Sequence, residues 1–210
     1  MSDITQSLAE IVGASYVSDQ PEEAYFYARD PGLMPTHEPD YVVIPKTVEE
    51  IQKIVRLANR EKIPIVPMGA GMALTGLVIP LKGGIVVDMK RMTGIIEVNE
   101  KARLVIVEGG TSQGLLRAYL EKNYPRLRHS IPDSPATATI AANVMIQARA
   151  GCHNSMASIP TWSRAWKSCC LQANSARSAR ARYLRTGFQK GPPCPTCPGC
   201  SWGGSGRRAS

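Results

Sequence analysis

V-P-M-G-A-G-M-A-L-T-G, residues 66–76, is the stretch of this sequence that bears most on its fold and function. Gly69, Gly71 and Gly76 permit positive φ and the close approach of a ligand, so consecutive backbone amides can converge on an anion. The stretch lacks the Lys-Ser/Thr ending of a P-loop, and no helix-forming run begins at its end, as a dinucleotide fingerprint would require. On pattern alone, a diphosphate-binding loop and a tight glycine-rich connection are equally good interpretations.

The residues before this loop alternate between strand and helix patterns. The apolar runs at residues 41–45 and 63–67 predict two short strands. Between them, Thr47 and Glu50 form a capping box that begins a helix. Its apolar residues then recur on one face as far as about Glu61, the spacing of an amphipathic helix. A strand, a helix and a second strand therefore lead into the loop.

The residues after the loop predict further strands and a second helix. G-I-V-V-D-M at 84–89 predicts a third strand, and I-I-E-V with L-V-I-V-E predicts an antiparallel pair around a turn at 99–101. Residues 111–122 follow as an amphipathic helix. This order predicts an α+β domain with a small parallel β-α-β start and a later antiparallel sheet.

A second stretch of small residues, S-P-A-T-A-T-I-A-A-N-V at 134–144, lacks bulk almost throughout. Small side chains allow the backbone to contact a ligand or another segment of the chain. Taken alone, the pattern favours a small-residue strand packed in a core.

Taken together and in order, four motifs resemble a known family. They are P-K-T-V-E-E-I-Q-K-I-V-R-L-A-N, V-P-M-G-A-G-M-A-L-T-G, G-G-I-V-V-D-M-K-R-M and A-T-I-A-A-N-V. The stretch from 40 to 146 resembles the FAD-binding (PCMH-type) domain of the vanillyl-alcohol oxidase and p-cresol methylhydroxylase superfamily. Within it, the chain is most similar to the group of the glycolate oxidase FAD subunit and D-lactate dehydrogenase.

The resemblance implies which residues bind FAD. By position, the amides of the first loop would bind the FAD diphosphate, which implicates Met68, Gly69, Ala70, Gly71, Met72, Ala73, Leu74, Thr75 and Gly76. The later stretch would line the flavin, which implicates Asp133, Thr139, Ile140, Asn143 and Val144. Ala70, Ala141 and Ala142 stand where the family usually has glycine, so they would crowd the cofactor. No histidine in residues 1–146 matches a position of covalent flavin attachment, so we expect non-covalent FAD.

The resemblance also implies an activity. It is the FAD-dependent oxidation of a small 2-hydroxy acid, glycolate or D-lactate in type, with hydride passing from the substrate α-carbon to the flavin. A small 2-hydroxy acid and an electron-transfer subunit would be the partners of the intact parent. The residues present include no base or arginine that we can match to catalysis, so no catalytic residue is named.

Charge and cysteine are distributed very unevenly along the chain. Residues 1–146 hold 15 Lys and Arg and all 17 Asp and Glu, whereas residues 147–210 hold ten Lys and Arg, no acid and all six cysteines. We therefore predict three segments: a lead-in at 1–39, an incomplete FAD-binding domain at 40–146, and a basic, cysteine-rich tail at 147–210.

A changed reading frame near Ile146 is the simplest interpretation of the tail, which we expect to be non-native or disordered. When the third base of each codon is read with the first two of the next, residues 155–170 permit Y-G-Q-H-S-D-M-V-K-G-L-E-V-V-L. That string resembles the family's next segment, so the acids and the apolar spacing return together. We expect the chain as written to be inactive, although residues 1–146 could still capture FAD as a binding module.

The alternative hypothesis is a genuine short protein whose tail binds zinc or nucleic acid. Cys194, Cys197 and Cys200 have the spacing of metal ligands but lack a placed fourth ligand, so we predict no metal site. Basic residues interleaved with aromatic ones suit single-stranded nucleic acid. Without acids or periodicity they predict a disordered polycation with no specific nucleic-acid partner. The sequence has no apolar run of membrane-spanning length and no signal region, so we expect a cytoplasmic protein.

Overall fold

The computed structural model describes residues 3–102, 104–127, 129 and 135–146, together with the backbone of 167–169 and 175–177. The helices are α1 (Asp3–Val12), α2 (Pro21–Tyr27), α3 (Val48–Glu61), α4 (Gln113–Asn123) and α5 (Ile140–Met145), and a turn of 3₁₀-helix spans Ala14–Tyr16. The strands are β1 (Val17–Ser18), β2 (Tyr41–Val43), β3 (Ile65–Met68), β4 (Ile85–Asp88), β5 (Ile95–Asn99), β6 (Leu104–Val107), β7 (Lys167–Cys169) and β8 (Ser175–Arg177).

The first sheet has the strand order β1-β2-β4-β3. β4 lies between β2 and β3 and pairs with both in parallel, so that Val86 is opposite Val42 on one side and Val66 on the other. β1 adds an antiparallel edge to β2. Helix α3 carries the chain from β2 to β3, which run in the same direction on either side of β4. The predicted α+β class and its small parallel start are confirmed.

A buried apolar cluster covers one face of this sheet. All four residues of β4 are buried, as expected of a central parallel strand that is covered on both faces. Helices α1 and α3 supply most of the remaining side chains in the cluster, which consists of Leu8, Val12, Val43, Ile54, Leu57, Ala58, Ile85 and Val87. No helix or strand was predicted for residues 1–39, yet α1 packs into the core of the first sheet.

The second part of the fold is a hairpin covered by helices. β5 and β6 pair in an antiparallel arrangement with a bulge between Ile95 and Glu97, as the pattern predicted. Helix α4 begins at Ser112, whose hydroxyl accepts a hydrogen bond from the Leu115 amide at 3.1 Å. The apolar faces of the hairpin and the helices meet in a second buried cluster of Val105, Leu116, Leu120, Leu127 and Ile140.

Helix α3 begins nearly as its capping signature predicted. The Thr47 hydroxyl accepts a hydrogen bond from the Glu50 amide at 3.2 Å. The Glu50 carboxylate turns back toward the N-terminus, but it accepts from the amide of Lys46, at 2.6 Å, rather than from that of Thr47. The helix ends at Glu61, and its C-cap, Lys62, adopts the left-handed conformation with φ of 56°.

Taken alone, residues 134–144 were expected to form a strand, and that expectation is wrong. Helix α5 occupies the second half of the stretch, and Thr139 is its N-cap, accepting from the Ala142 amide at 3.4 Å. Alanine is the best helix former, so Ala141 and Ala142 extend the turn once the threonine has satisfied a free amide.

In the tail, β7 and β8 form a two-stranded antiparallel pair. The cysteine motif at 194–200 and most of the basic residues lie outside the described residues, so the predicted disordered or non-native tail stays a prediction. Among the described residues, no helix combines the length and apolar character needed to cross a lipid bilayer.

Candidate functional site

A cavity of about 350 Å³ lies where the parallel strands β3 and β4 end. Residues 68–71 at the start of the glycine-rich loop form one wall. A second part of the lining comes from the end of α2 and the residues just after it: Phe26, Tyr27 and Arg29. Asp88, at the end of β4, and Lys90, two residues later, complete the lining of the cavity. Ligands of open α/β sheets bind outside the carboxyl ends of the strands, so this position suits a ligand site.

The loop uses its glycines in two different ways. Gly71 and Gly76 adopt the left-handed conformation, with φ of 64° and 75°, as the sequence predicted. Gly69 does not. Glycine is needed at position 69 because there is no room for a side chain: a Cβ atom there would lie 2.4 Å from the side-chain oxygen of Thr139. A glycine at 69 therefore lets the loop lie directly against the start of α5.

Backbone amides in the loop remain without partners inside the described part of the chain. The amides of residues 69–75 donate to no other group there, whereas the amide at the end of the loop, that of Gly76, is bonded. Ala70, Met72, Leu74 and Thr75 are exposed, and Gly71 and Ala73 are half-buried. A run of unpaired, accessible amides is a set of donors suited to an anion.

Contact between Gly69 and Thr139 joins the two predicted ligand-binding stretches. Thr139 is buried and forms an isolated antiparallel bridge with Ser112. The next residue, Ile140, donates its amide to the Thr111 carbonyl at 3.0 Å. The start of α5 is therefore anchored to the segment before α4, at a place where it touches the loop.

The remaining predicted residues differ in their surroundings. Met68 and Asn143 are buried, and Val144 is half-buried. The Ile140 side chain packs in the second core cluster, so it faces away from solvent. Asp133 lies outside the described residues. The structure thus brings Gly69 and Thr139 together, while the side chain of Ile140 serves the core.

Asp30, which the sequence analysis missed, holds the end of the loop. One carboxylate oxygen accepts from the Gly76 amide at 2.7 Å and the other from the Gly32 amide at 2.9 Å. Asp30 is 9% exposed. The turn signature D-P-G at residues 30–32 was the available signal, but its bond to Gly76 spans 46 residues.

A hydrogen-bonded group of Tyr27, Asp88 and Lys90 lines the cavity and was also missed. The Tyr27 hydroxyl donates to the Asp88 carboxylate at 2.9 Å, and the Lys90 ammonium donates to the Tyr27 oxygen at 2.9 Å. The same ammonium lies 3.2 Å from the Asp88 carboxylate. In the sequence, the signal was an aspartate at the carboxyl end of a buried strand.

The two protonation states in this group follow from its surroundings. Burial, more than any other effect, raises the pKa of Tyr27, so the phenol stays neutral. Burial acts to lower the pKa of Lys90, but the hydrogen bond to Tyr27 and the charge of Asp88 outweigh it, and the pKa is raised overall. Lys90 is therefore a cation at neutral pH.

A pair formed by the buried Gln113 and the half-buried His129 lies beside the segment that leads into α5. The side-chain oxygen of Gln113 is hydrogen-bonded to His129 Nε2, and the backbone amide of Gln113 donates to the Ala138 carbonyl at 2.9 Å. Burial lowers the pKa of His129 to about 4, so its ring is neutral at pH 7. Gln113 Nε2 is buried and has no partner among the described residues.

No group of three or more His, Cys, Asp or Glu side chains within the described ranges is placed to hold a metal ion. The groups that face the cavity are amides, a phenol, one carboxylate and two cationic side chains. Among the described residues that line the cavity, hydrogen-bond donors therefore outnumber negatively charged groups.

Comparison with known proteins identifies relatives of this chain. A family described as "FAD binding domain" matches residues 39–158, which is more than half of the sequence. The chain is 29% identical over 145 residues to the glycolate oxidase subunit GlcD of Bacillus subtilis, covering 68% of this chain and 30% of that protein. It is 34% identical over 103 residues to a mitochondrial D-lactate dehydrogenase [cytochrome] of Arabidopsis thaliana, covering 48% of this chain and 18% of the relative.

A solved structure shares the fold. The 4-ethylphenol oxidase from Gulosibacter chungangensis aligns with a TM-score of 0.74 at 22% identity, over 84% of this chain and 34% of that one. The chain spans about a third or less of the length of each of these three proteins.

The close contact at Gly69 predicts the effect of a single methyl group. We expect Gly69→Ala to lower the free energy of unfolding by about 1–3 kcal/mol, because the new methyl group overlaps Thr139 in a packed site. Gly109→Ala is the matched control: its Cβ meets nothing within 4 Å, and we expect a change below about 0.5 kcal/mol. Urea unfolding measures both, and equal effects would contradict the contact.

The half-buried His129 predicts a pH dependence of stability. The unfolded chain binds a proton near the ordinary histidine pKa, whereas the folded chain binds one only near pH 4. Between these values the unfolded state holds more protons, so stability falls as the pH falls, by up to about 1.4 kcal/mol per unit from this group.

Comparison with His129→Asn isolates the contribution of the imidazole, since the carboxylates are the same in both proteins. We expect the wild type to lose stability relative to the variant as the pH is lowered from 6.5 to 4, measured by urea unfolding. Parallel curves over this range would show that the ring is not buried in its neutral form.

Proposed function

The chain belongs to the FAD binding domain family and has FAD as its cofactor, and we propose that it is the cofactor-holding part of a flavoprotein that oxidises a small 2-hydroxy acid. The family resemblance drawn from the four motifs and the expectation of FAD are confirmed. One observation carries the proposal: the contact of Gly69 with Thr139 places a loop of unpaired amides against the small-residue start of α5.

The residues present fit the diphosphate of the cofactor. Unpaired amides at 69–75 are donors for phosphate oxygens, and each bond to a charged oxygen contributes roughly 1.5–3 kcal/mol. Gly71 adopts φ of 64°, a conformation that glycine takes without strain, and it leaves the loop backbone free of a side chain at that position. In this proposal the loop from Met68 to Gly76 holds the diphosphate, and Thr139, Asn143, Val144 and the backbone of Ile140 lie along the flavin.

The cofactor supplies a two-electron acceptor for the reaction. The α-carbon of the 2-hydroxy acid would lose a hydride and its hydroxyl a proton, which gives the 2-oxo acid and the reduced cofactor. The described residues hold and orient the cofactor, and no catalytic residue is assigned among them. The 2-hydroxy-acid substrate is proposed because the two curated relatives are named for glycolate and D-lactate.

The names of the relatives also suggest the route of the electrons. One relative is called a subunit of glycolate oxidase, and the other is a dehydrogenase whose name carries the word cytochrome. We propose that electrons leave the cofactor to a separate protein acceptor, in the cytoplasm. We further propose that FAD is bound without a covalent link, so that acid precipitation releases it into the supernatant.

Titration of the purified chain with FAD tests the proposal. We expect saturable binding by isothermal titration calorimetry and a melting temperature that rises with excess FAD, since a ligand that binds only the folded state stabilises it. Gly71→Val should weaken binding, because valine is strained at positive φ and its Cβ would lie 2.9 Å from the end of the Met68 side chain. Gly109→Val is the matched control. No heat of binding and an unchanged melting temperature would contradict the proposal.

We also propose that residues 147–210 are read out of frame, so that the chain as written is inactive. The lack of any acid among 64 residues supports this, while the family match continues to residue 158, beyond the proposed boundary. Sequencing the DNA across the codons for residues 144–152 tests it: we expect one base gained or lost. Intact bases, or oxidation of glycolate or D-lactate by the purified chain, would contradict it.

A further inference from the structure

Lys90 lies outside the glycine-rich loop, but it is a charged residue that lines the same cavity. Its side chain is 53% exposed, and residues 68–71 of the loop line the same cavity. We propose that Lys90 binds the diphosphate of the cofactor, which adds one fixed positive charge to the neutral amide donors. This inference rests on the proposed function, because it names a further binding residue of that site.

Two neighbours fix the position of the ammonium group. Nζ donates to the Tyr27 oxygen at 2.9 Å and lies 3.2 Å from an Asp88 oxygen. An ammonium has three donors, so one remains for a ligand after these two contacts. A lysine that is already held loses less conformational freedom on binding than a free surface lysine does.

The carboxylate of Asp88 would repel a phosphate unless its charge were already matched. Its Oδ2 accepts from Tyr27 and lies against the Lys90 ammonium, and its Oδ1 accepts from the Lys90 backbone amide at 2.9 Å. Asp88 is 6% exposed. Both of its oxygens are therefore engaged by donors of the chain, and the ammonium of Lys90 remains as a charged group that lines the cavity.

Arg29 adds a second positive charge at the edge of the cavity. Its guanidinium lies 3.9 Å from the centroid of the exposed Tyr25 ring. Counting Asp88, Lys90 and Arg29, the charged side chains that line the cavity sum to +1. The cavity therefore favours a ligand with a diphosphate over one that ends at an uncharged ribityl chain.

The test compares wild type, Lys90→Met and the matched control Lys82→Met, an exposed lysine away from the cavity. Affinities for FAD, riboflavin and inorganic pyrophosphate are measured by calorimetry. We expect Lys90→Met to weaken FAD and pyrophosphate by roughly tenfold to a hundredfold, the range of a charged hydrogen bond, and to leave riboflavin unchanged. Lys90→Arg should restore most of the loss, and Lys82→Met should match the wild type.

Tyr27→Phe tests whether the phenol positions the lysine. We expect a smaller loss of FAD affinity than for Lys90→Met, and no further loss when both substitutions are combined, because Tyr27 then has nothing to position. A purely structural tyrosine would add its own loss in the double variant, which would overturn the positioning role.

The outcomes separate this inference from the proposed function. FAD binding that Lys90→Met leaves unchanged overturns the inference alone. Pyrophosphate binding that depends on Lys90, in a chain that does not bind FAD, supports a diphosphate-binding role for Lys90 and contradicts the proposed function. A wild-type chain that binds neither ligand overturns both.

Discussion

Strand β4 is paired in parallel on both edges, and all four of its residues are buried. Side chains alternate between the faces of a strand, so a shift of one residue would exchange the core face for the opposite one. Register is therefore strongly specified, and it sets Asp88 opposite Met68 at the ends of β4 and β3. The glycine-rich loop and the Lys90 group thus start from neighbouring points, which is why they share one cavity.

Carboxylates near an anion site are expected to weaken it, yet two lie close to this loop. Asp30 accepts two backbone amides, one of which belongs to Gly76, and Asp88 accepts from Tyr27 and from the amide of Lys90. In both cases the oxygens are occupied by donors of the chain. Asp30 thereby shapes the loop, and Asp88 holds Lys90 in place. The amides at 69–75 are left for a ligand.

The sequence predicted the elements with strong local patterns. Helix α3 ends at Glu61 as its periodicity indicated, and the Thr47 cap forms. β4 and the β5–β6 pair lie where their apolar runs were, with ends that differ by a residue or two. Helix α1 was not predicted, although Leu8 and Val12 are buried in the core. The strand expected at 134–144 was wrong because an N-cap threonine outweighed the small-residue pattern.

By itself, the sequence determined the order of the elements between residues 41 and 122, the positive φ of Gly71 and Gly76, and the family with its FAD cofactor. These depend on neighbours within a few residues or on motifs read in order. Only the tertiary structure decided which distant groups meet. Gly69 lies against Thr139, Asp30 bonds to Gly76 across 46 residues, and Tyr27 bonds to Asp88 across 61. Such contacts arise from the packing of α1, α2 and α5 around the sheets, and no local pattern records that packing.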